Sequence, residues 1–539
     1  MVPREVKKTL GLQMGETMLT FGELIRRNSQ YWGHKDAFVE ADRRRNWHEF
    51  HSRTDALGFA TRRLGAAAGD RVAILSADCI EVAETFGACM KIGAVRVGLN
   101  PRLTQPEIAA LVADCSPTVI FVHRDYLDQA EKAASAMPAG RGEARIIEFG
   151  SPASEYERLI AAESDQPELV QTPHAIAMIA YTTGSTGLPK GAVYPHGAFL
   201  QSILYTAMLE GIDPSTRWLH TMPAAGVPLM HMMRNLFHAA ATVIVGPWSA
   251  EQALFLIGRE HTTNVVLVPT MLNSLLESSM LVRTDMSSMR LFGYGASPLP
   301  PKTIKKAMKA FGSPFLQMFG TTELMGMSMM LFPSDHELGI TTRPEILASA
   351  GKPLPFVDVK VVDGDGRSLP PGETGELIVR SDTHFSGYWN APEKSAEVIR
   401  DGWIYTGDLA SRDEAGYFYL SDRAKFRIRS AGHDVFPTEV ENALAEHPAI
   451  NEVAVIGLPD ERYGERIHAV VTTVPGKTVT SDELREFCRN KIAAFKVPKC
   501  IDIWTEIPKG PTGKIQKRAI IEHFASEAAS RQASSDDKS

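Results

Sequence analysis

Residues 181–191 read YTTGSTGLPKG, a run of hydroxyl side chains and glycines that ends with a lysine and a glycine. Glycine lets the backbone approach a ligand closely, and the hydroxyls and the lysine add hydrogen-bond donors and a positive charge. Such a loop suits a polyanion such as a nucleotide phosphate chain. The apolar run at 175–180 predicts a buried strand before it. A surface turn of small residues is the alternative, and the loop alone does not separate the two.

Length and composition limit the class of protein. The chain has 539 residues, too many for one hydrophobic core, and this predicts two or more domains. A hydrophobic fraction of 44% fits a globular protein, and the net charge of −7 argues against a nucleic-acid partner. The five cysteines contain no C-x-x-C pair and predict free thiols in a reducing, cytoplasmic setting. No apolar run reaches the roughly 20 residues of a membrane span, and no signal-peptide pattern begins the chain.

The first part of the chain alternates between helical and strand patterns. FGELIRRNSQYW at 21–32 has the spacing of an amphipathic helix, and Gly65 ends the pattern of a second helix. Short apolar runs predict strands: DRVAILS (70–76), PTVIFVH (117–123), ATVIVGP (241–247), VVLVP (265–269) and MRLFGYG (289–295). This alternation predicts an α/β fold with helices packed on sheets, in which ligands bind at strand ends.

The pattern of predicted secondary structure changes in the last third of the chain. Residues 357–381 combine period-two alternation with turn dipeptides, which predicts an antiparallel β unit. A smaller αβ pattern follows, in which SDELREFCRNKI at 481–492 predicts a helix N-capped by Ser481. We place the domain boundary at 423–425. The polar composition of 527–539 predicts a disordered tail.

Five further segments, each an ordinary turn or helix cap by itself, follow the opening loop in order. They are GYGASP (293–298), QMFGTTE (317–323), WIYTGDLA (403–410), DRAKFRIRSAGHDVFPTEVE (422–441) and PKGPTGKIQKR (508–518). With YTTGSTGLPKG they resemble the adenylate-forming superfamily of acyl-CoA synthetases, luciferase-like enzymes and the adenylation domains of peptide synthetases. The resemblance covers nearly the whole chain.

The resemblance implies an α/β architecture in two parts. Residues 1–422 would form a large N-terminal AMP-binding domain, with the acyl and ATP sites, built from helix-flanked β-sheets plus a distorted β-barrel. Residues 423–425 would be a hinge. Residues 426–526 would form a small, mobile α+β C-terminal domain that carries the catalytic lysine.

The resemblance also implies an enzyme with two half-reactions. A carboxylic acid and ATP give an acyl-adenylate and pyrophosphate, and the acyl group then passes to the thiol of CoA. ATP, Mg²⁺ and CoA are therefore the implied cofactor and co-substrates. The expected partners are these molecules and a small carboxylic acid, with no nucleic acid and no membrane span. A homodimer stays open.

The motifs assign residues to these steps by resemblance. Lys514, Glu323 and Thr322 would be catalytic, and Glu323 would also hold Mg²⁺. Lys425 would be the hinge residue, and Gly432 would lie where CoA enters. The residues implied for ATP and AMP binding are Thr182, Thr183, Gly184, Ser185, Thr186, Gly187, Lys190, Gly295, Ala296, Ser297, Phe319, Gly320, Thr321, Asp408 and Arg423.

The predicted acyl pocket is formed by Ala224, Ala225, Gly226, Met318 and Met325. By resemblance to the superfamily the first three are small residues at gate positions, and the methionines would provide an adaptable apolar wall. Because this loop lacks an acidic residue that could meet an ammonium group, the sequence favours an acid with an apolar, uncharged tail. It does not separate medium-chain, branched, cyclic and aryl acids.

Other functions are less favoured by the same residues. The segment after Lys514 is too short for a fused carrier domain of roughly 80 residues, so we expect an acceptor in trans. CoA is the favoured acyl acceptor, and a separate carrier protein is the alternative. A P-loop kinase or ATPase is disfavoured because no G-x-x-x-x-G-K-[ST] occurs. A non-catalytic nucleotide-binding module is disfavoured because Lys514, Glu323 and Asp408 are all present.

Overall fold

The structure is a computed structural model of the chain. It describes residues 19–138, 143–163, 176–182, 189–297, 299–312, 314–423, 428–430, 433–460, 463–510 and 515–536.

The strands in chain order are β1 (Asp36–Glu40), β2 (Arg43–Asn46), β3 (Arg71–Leu75), β4 (Val95–Leu99), β5 (Val119–His123), β6 (Arg145–Phe149), β7 (Ile176–Thr182), β8 (Lys190–Pro195), β9 (Arg217–His220), β10 (Ala241–Ile244), β11 (Asn264–Leu267), β12 (Leu291–Gly295), β13 (Phe315–Phe319), β14 (Met329–Leu331), β15 (Lys352–Pro353), β16 (Val357–Val362), β17 (Gly375–Ser381), β18 (Ile399–Arg400), β19 (Trp403–Arg412), β20 (Phe418–Arg423), β21 (Ile428–Ser430), β22 (His433–Val435), β23 (Ile450–Asp460), β24 (Gly464–Thr473) and β25 (Cys500–Ile503).

The α-helices are α1 (Phe21–Trp32), α2 (Trp47–Arg63), α3 (Ile80–Ile92), α4 (Gln105–Cys115), α5 (Leu127–Ala134), α6 (Glu155–Ala162), α7 (His196–Leu209), α8 (Leu229–Met232), α9 (Ala250–Glu260), α10 (Pro269–Glu277), α11 (Pro301–Phe311), α12 (Pro333–Thr341), α13 (Pro392–Val398), α14 (Pro437–Ala445), α15 (Ser481–Arg489) and α16 (Lys517–Asp536).

Two large sheets form the first part of the fold. Six strands make the first sheet in the order β6-β5-β3-β4-β7-β8, parallel except for the β7–β8 pair. Nine strands make the second in the order β15-β14-β13-β12-β11-β9-β10-β1-β2. Helix α3 is buried along its whole length and contacts strands of both sheets. The parallel strands read as continuous apolar runs because helices cover them.

The predicted elements are confirmed in this region. The helix at 21–32 is α1, and Thr20 caps it by accepting a hydrogen bond from the Glu23 backbone N–H. The strands predicted at 70–76, 117–123, 241–247, 265–269 and 289–295 are β3, β5, β10, β11 and β12.

The remaining sheets are smaller. The antiparallel unit predicted at 357–381 is the β16–β17 pair of a five-stranded sheet, ordered β16-β17-β19-β18, with β20 on β19. The last sheet, ordered β22-β21-β24-β23 with β25 on β24, packs with α14 and α15 around a separate core. The α/β class and the division into a large and a small part are therefore confirmed.

Two details differ from the sequence-based expectations. Helix α15 is capped by Thr480 and not Ser481, because Thr480 and Glu483 form a reciprocal capping box. Helix α16 continues to Asp536, into the segment predicted as a disordered tail, since its Ala, Glu, Arg and Gln residues extend a helix that has already formed. Among the described residues, no helix combines the length and apolar composition needed to cross a membrane.

Candidate active site

The ends of the opening loop are held by a β-hairpin. Strands β7 and β8 pair antiparallel, with Thr182 opposite Lys190, and the Thr182 hydroxyl lies 3.5 Å from the Lys190 carbonyl oxygen. The loop is therefore presented at the carboxyl end of β7, as the sequence predicts. Its predicted phosphate ligands lie outside the described residues, namely Thr183, Gly184, Ser185, Thr186 and Gly187.

A second segment, residues 385–389, lies along β8 and brings an aromatic ring to the hairpin. The Trp389 backbone N–H donates to the Gly191 carbonyl at 2.7 Å. Tyr388 is buried, and its hydroxyl donates to Glu323 Oε1 at 2.5 Å. The Lys190 ammonium lies 5.0 Å from the centroid of the same ring, within cation–π range. One buried tyrosine thus links the predicted phosphate lysine to the predicted metal ligand.

The turn that carries Glu323 is fixed by backbone contacts. The Tyr194 hydroxyl donates to the Thr322 carbonyl at 2.7 Å, and the Phe385 N–H donates to the Glu323 carbonyl at 3.0 Å. Burial and the negative charge of Glu323 raise the pKa of Tyr194, so its hydroxyl stays a donor. At Gly320 a Cβ would lie 1.5 Å from a backbone oxygen, so the turn admits glycine alone.

Polar atoms of this turn remain available to a ligand. The Thr321 hydroxyl oxygen is buried and has no hydrogen-bond partner within the described part of the chain. Buried polar atoms are normally satisfied, so this hydroxyl fits a bound oxygen acceptor or donor. One oxygen of Glu323 is held by Tyr388, which orients the carboxylate.

The donor set fits Mg²⁺ held jointly with a substrate. In the described residues no group of three or more His, Cys, Asp and Glu side chains could hold a metal by itself. Mg²⁺ is commonly bound by one or two carboxylates together with substrate phosphates. A single oriented carboxylate, Glu323, near the β7–β8 hairpin matches that pattern.

The predicted adenine residues lie at the carboxyl ends of two adjacent parallel strands. Gly295 ends β12 and faces Met318 of β13, whose last residue is Phe319. A Cβ on Gly295 would lie 2.4 Å from the Met318 carbonyl oxygen, so only glycine fits there. Ala296 has a φ of 68°, in the left-handed region, which turns the chain sharply after the strand. Ser297 follows directly and Pro298 lies outside the described residues.

The predicted ribose residues are neighbours in another sheet. Asp408 of β19 stands opposite Arg423, the last residue of β20. Asp408 is only 9% exposed, and its backbone N–H donates to the Thr406 hydroxyl at 3.1 Å. The register places the backbones of the two residues directly opposite each other.

The predicted acyl loop is anchored from the first sheet. The Ala224 N–H donates to Asp78 Oδ1 at 2.8 Å, and the other oxygen of Asp78 lies 3.2 Å from His220 Nε2. Ala224 is buried, whereas Ala225 and Gly226 are partly exposed. Sequence analysis missed Asp78, although an Asp just after β3 at a strand's carboxyl end is a recognisable signal.

The two methionines assigned to the pocket are deeply packed. Met318 is buried, and its terminal methyl would lie 3.0 Å from a Cβ on Gly293. Met325 is fully buried, and its carbonyl accepts a hydrogen bond from the Ser202 hydroxyl at 3.0 Å. Both belong to the main hydrophobic core.

Sequence analysis also missed Tyr388. The signal available was GYWN at 387–390, a glycine-led aromatic segment that no predicted motif includes. Besides the five loop residues 183–187, three more predicted residues lie outside the described residues, namely Lys425, Gly432 and Lys514.

Comparisons with known proteins show which family and which relatives the chain resembles. The model of the AMP-binding enzyme family matches residues 25–389, and that of the AMP-binding enzyme C-terminal domain matches 439–514. A fatty acid–[acyl-carrier-protein] ligase, ScoC of Streptomyces coeruleorubidus, is 32% identical over 90% of this chain and 92% of the relative. An indoleacetate–CoA ligase of Aromatoleum aromaticum is 33% identical over 86% of this chain and 90% of the relative.

A solved structure has a similar overall fold. The anthranilate CoA ligase AuaEII, in complex with anthranoyl-AMP, superposes with a TM-score of 0.86 at 27% identity. The match covers 94% of this chain and 98% of that structure.

Proposed function

The chain belongs to the AMP-binding enzyme family, and from this premise we propose that it is an ATP-dependent carboxylic acid–CoA ligase. A carboxylate oxygen of the acid attacks the α-phosphorus of ATP and pyrophosphate leaves. The thiol of CoA then attacks the acyl carbonyl carbon, and AMP leaves. The observation that carries the proposal is the linkage of Lys190, Tyr388 and Glu323 at the end of the hairpin.

In the first half-reaction two anions must meet, so the site has to supply positive charge and donors. We propose that the loop from Thr182 to Gly187, with Lys190, binds the β- and γ-phosphates. Thr322 would contact a phosphate oxygen, and the unpartnered Thr321 hydroxyl supports a ligand at this turn. Glu323 would hold Mg²⁺, which when bound neutralises phosphate charge and orients the leaving group.

The nucleoside is proposed to lie across the carboxyl ends of β12 and β13 and the middle of β19. Gly295, Ala296 and Ser297 would line the adenine slot, together with Gly320, and Phe319 would stack on the base. Asp408 and Arg423 would bind the ribose, because a buried carboxylate can accept hydrogen bonds from both hydroxyls of a diol. The close backbone packing at Gly295 and Gly320 supports these roles.

The small domain is proposed to serve both half-reactions by rotating. Residues 1–422 would be the AMP-binding domain, 423–425 the hinge with Lys425, and 426–526 the C-terminal domain. Lys514 would face the carboxylate and α-phosphate in the first step. Gly432 would border the entry of CoA in the second.

The acid is proposed to have an apolar tail that enters past Ala224, Ala225 and Gly226, with Met318 and Met325 in the apolar wall behind. The partial exposure of Ala225 and Gly226 supports the position of the loop at the pocket entrance. Homology to an acyl-carrier-protein ligase keeps a separate carrier protein as the second candidate acceptor. We further propose a cytoplasmic enzyme, since the cysteines are free in the described structure.

The products test the proposed reaction. A panel of carboxylic acids, incubated with ATP, Mg²⁺ and CoA, should give AMP, pyrophosphate and an acyl-CoA, because both half-reactions pass through the acyl-adenylate. The nucleotide and the thioester can be measured by chromatography. Omitting CoA should leave pyrophosphate release as the only measurable step. Formation of ADP would contradict the proposal, and a thioester formed only on a purified carrier protein would favour the second acceptor.

Substitution Gly226→Trp tests the pocket. A Cβ at Gly226 would have no neighbour closer than 3.9 Å, and φ is not in the left-handed region, so the backbone tolerates a side chain. The indole should fill the gate, raising KM at least about 10-fold for the larger acids through lost space and overpacking. Binding of ATP should not change. Gly226→Ala is the matched control, and unchanged acid selectivity in the Trp variant would show that the loop is not the pocket wall.

A further inference from the structure

A buried cation lies directly behind the proposed acyl loop. Arg96 of β4 is 1% exposed, which makes it one of the largest fully buried side chains of the structure. Its Nη1 lies 3.3 Å from the Ala225 carbonyl oxygen, a long hydrogen bond, and its Nε has no partner within the described part of the chain. No carboxylate of the described residues forms an ion pair with it.

The position of the guanidinium is fixed by the pleat of β4. Arg96 and Gly98 point to the same face of the strand, because side chains alternate. A Cβ on Gly98 would lie 2.6 Å from Arg96 Nη1 and 2.2 Å from the Ala225 oxygen. Only glycine at this position lets the acyl loop and the guanidinium meet over the strand.

The carboxylate that interacts electrostatically with Arg96, Asp78, already has other hydrogen-bonding partners. Asp78 accepts the Ala224 N–H with one oxygen and faces His220 with the other. Burial lowers the pKa of Arg96 to about 10, against the opposing effects of the Cys89 thiol and the Asp78 carboxylate. The guanidinium is therefore still charged at neutral pH. The other buried arginine within the described residues, Arg234, is paired with Glu210 at 2.6 Å.

A buried charge without a partner is unfavourable, and proteins normally pair it. We propose that the missing partner is the substrate, so that Arg96 binds an oxygen acceptor carried on the tail of the acid. This inference rests on the proposed function. It makes Arg96 a specificity-determining residue and narrows the substrate class to apolar acids that bear one further oxygen function.

The surrounding side chains fit one polar contact within an apolar site. Ala225 and Gly226 are small and partly exposed, and the Ala225 carbonyl lies against Arg96, so a tail bound beside this loop would come close to the guanidinium. Sequence analysis found no charged partner because it considered only the acyl loop and its neighbours, whereas Arg96 lies far upstream. A guanidinium suits hydroxyl, keto and carboxylate oxygens, and bidentate binding makes a carboxylate the strongest of these.

The test compares matched acids. Octanoic acid is set against its ω-hydroxy and ω-carboxy derivatives, and cinnamic acid against its para-hydroxy and para-carboxy derivatives, with AMP formation as the readout. We expect the wild-type protein to use at least one oxygenated acid with a kcat/KM about 10-fold or more above its parent. In Arg96→Met this preference should vanish, because kcat/KM should fall for the oxygenated acid and not for its parent. Arg96→Lys should retain part of the preference.

Two further measurements separate binding from structural support. Arg96→Met should keep or raise the melting temperature, because it removes a buried unpaired charge, and Arg102→Met on the exposed loop is the control. A uniform loss of kcat/KM for all acids with a lower melting temperature would show that Arg96 only braces the loop. A wild-type preference for the parent acids would also overturn the inference. Failure of every acid to give AMP would instead overturn the ligase proposal, and this inference with it.

Discussion

Lys514→Ala is expected to slow acyl-adenylate formation by about 10²–10³-fold, roughly 3–4 kcal/mol, while leaving the thiol step nearly intact. The ammonium would act where negative charge builds up as the carboxylate attacks the α-phosphate. A neutral side chain removes that stabilisation from the transition state. The effect is measured as the single-turnover rate of pyrophosphate release at saturating ATP and acid.

The second half-reaction is measured separately from synthetic acyl-AMP and CoA. It starts from a finished adenylate and would use the other face of the small domain, so Lys514→Ala should change its rate by less than about 3-fold. Lys517→Ala is the control, since it also removes a lysine from this motif, one that is paired with Glu441 at 2.8 Å and lies at the start of α16. Equal loss of both half-reactions in a folded Lys514→Ala protein would contradict the assignment.

Lys425→Pro gives the complementary result if the domain rotates there. Proline fixes φ near −65° and removes one of the two soft torsions of a hinge residue. We expect adenylation to survive and acyl transfer to CoA to fall. The two variants should therefore fail in opposite halves of the reaction.

The architecture was predictable because it depends on repeated local patterns. The helix at 21–32 and the strands β3, β5, β10, β11 and β12 follow from apolar periodicity that packing reinforces. The family followed from six ordered motifs, and the family-model matches confirm it. The cap of α15 was misplaced by one residue because Thr480 and Ser481 are equally good caps, and only the spacing to Glu483 selects Thr480.

The contacts missed from the sequence join distant segments. Tyr388 meets Glu323 and Lys190 because the 385–389 segment lies along β8, a pairing that no local pattern encodes. Asp78 reaches Ala224 from another sheet for the same reason. The site residues that resemblance supplied remain predictions, and those outside the described residues depend entirely on their motifs.

Glu323→Gln is expected to cause the second large loss of adenylation rate. The amide keeps the shape of the side chain, and its oxygen can still accept the Tyr388 hydroxyl that lies 2.5 Å from Oε1. What is lost is the negative charge that would bind Mg²⁺. We expect adenylation to fall about 10²-fold or more and the Mg²⁺ concentration for half-maximal rate to rise, with excess Mg²⁺ restoring part of the rate. Pyrophosphate release against Mg²⁺ concentration measures both effects.

Tyr388→Phe tests whether the tyrosine orients the Glu323 carboxylate, and Glu393→Gln is the control. The phenylalanine ring preserves the surface under Lys190 but no longer orients the carboxylate. A loss of about 10-fold is therefore expected, in line with one hydrogen bond to a charged group. Glu393 is exposed on α13, so its neutralisation should change nothing. A wild-type Mg²⁺ response in Glu323→Gln would exclude Glu323 as the metal ligand. A loss in Tyr388→Phe as large as in Glu323→Gln, with no change in Mg²⁺ dependence, would show that the tyrosine supports the fold of the turn and does not orient its carboxylate.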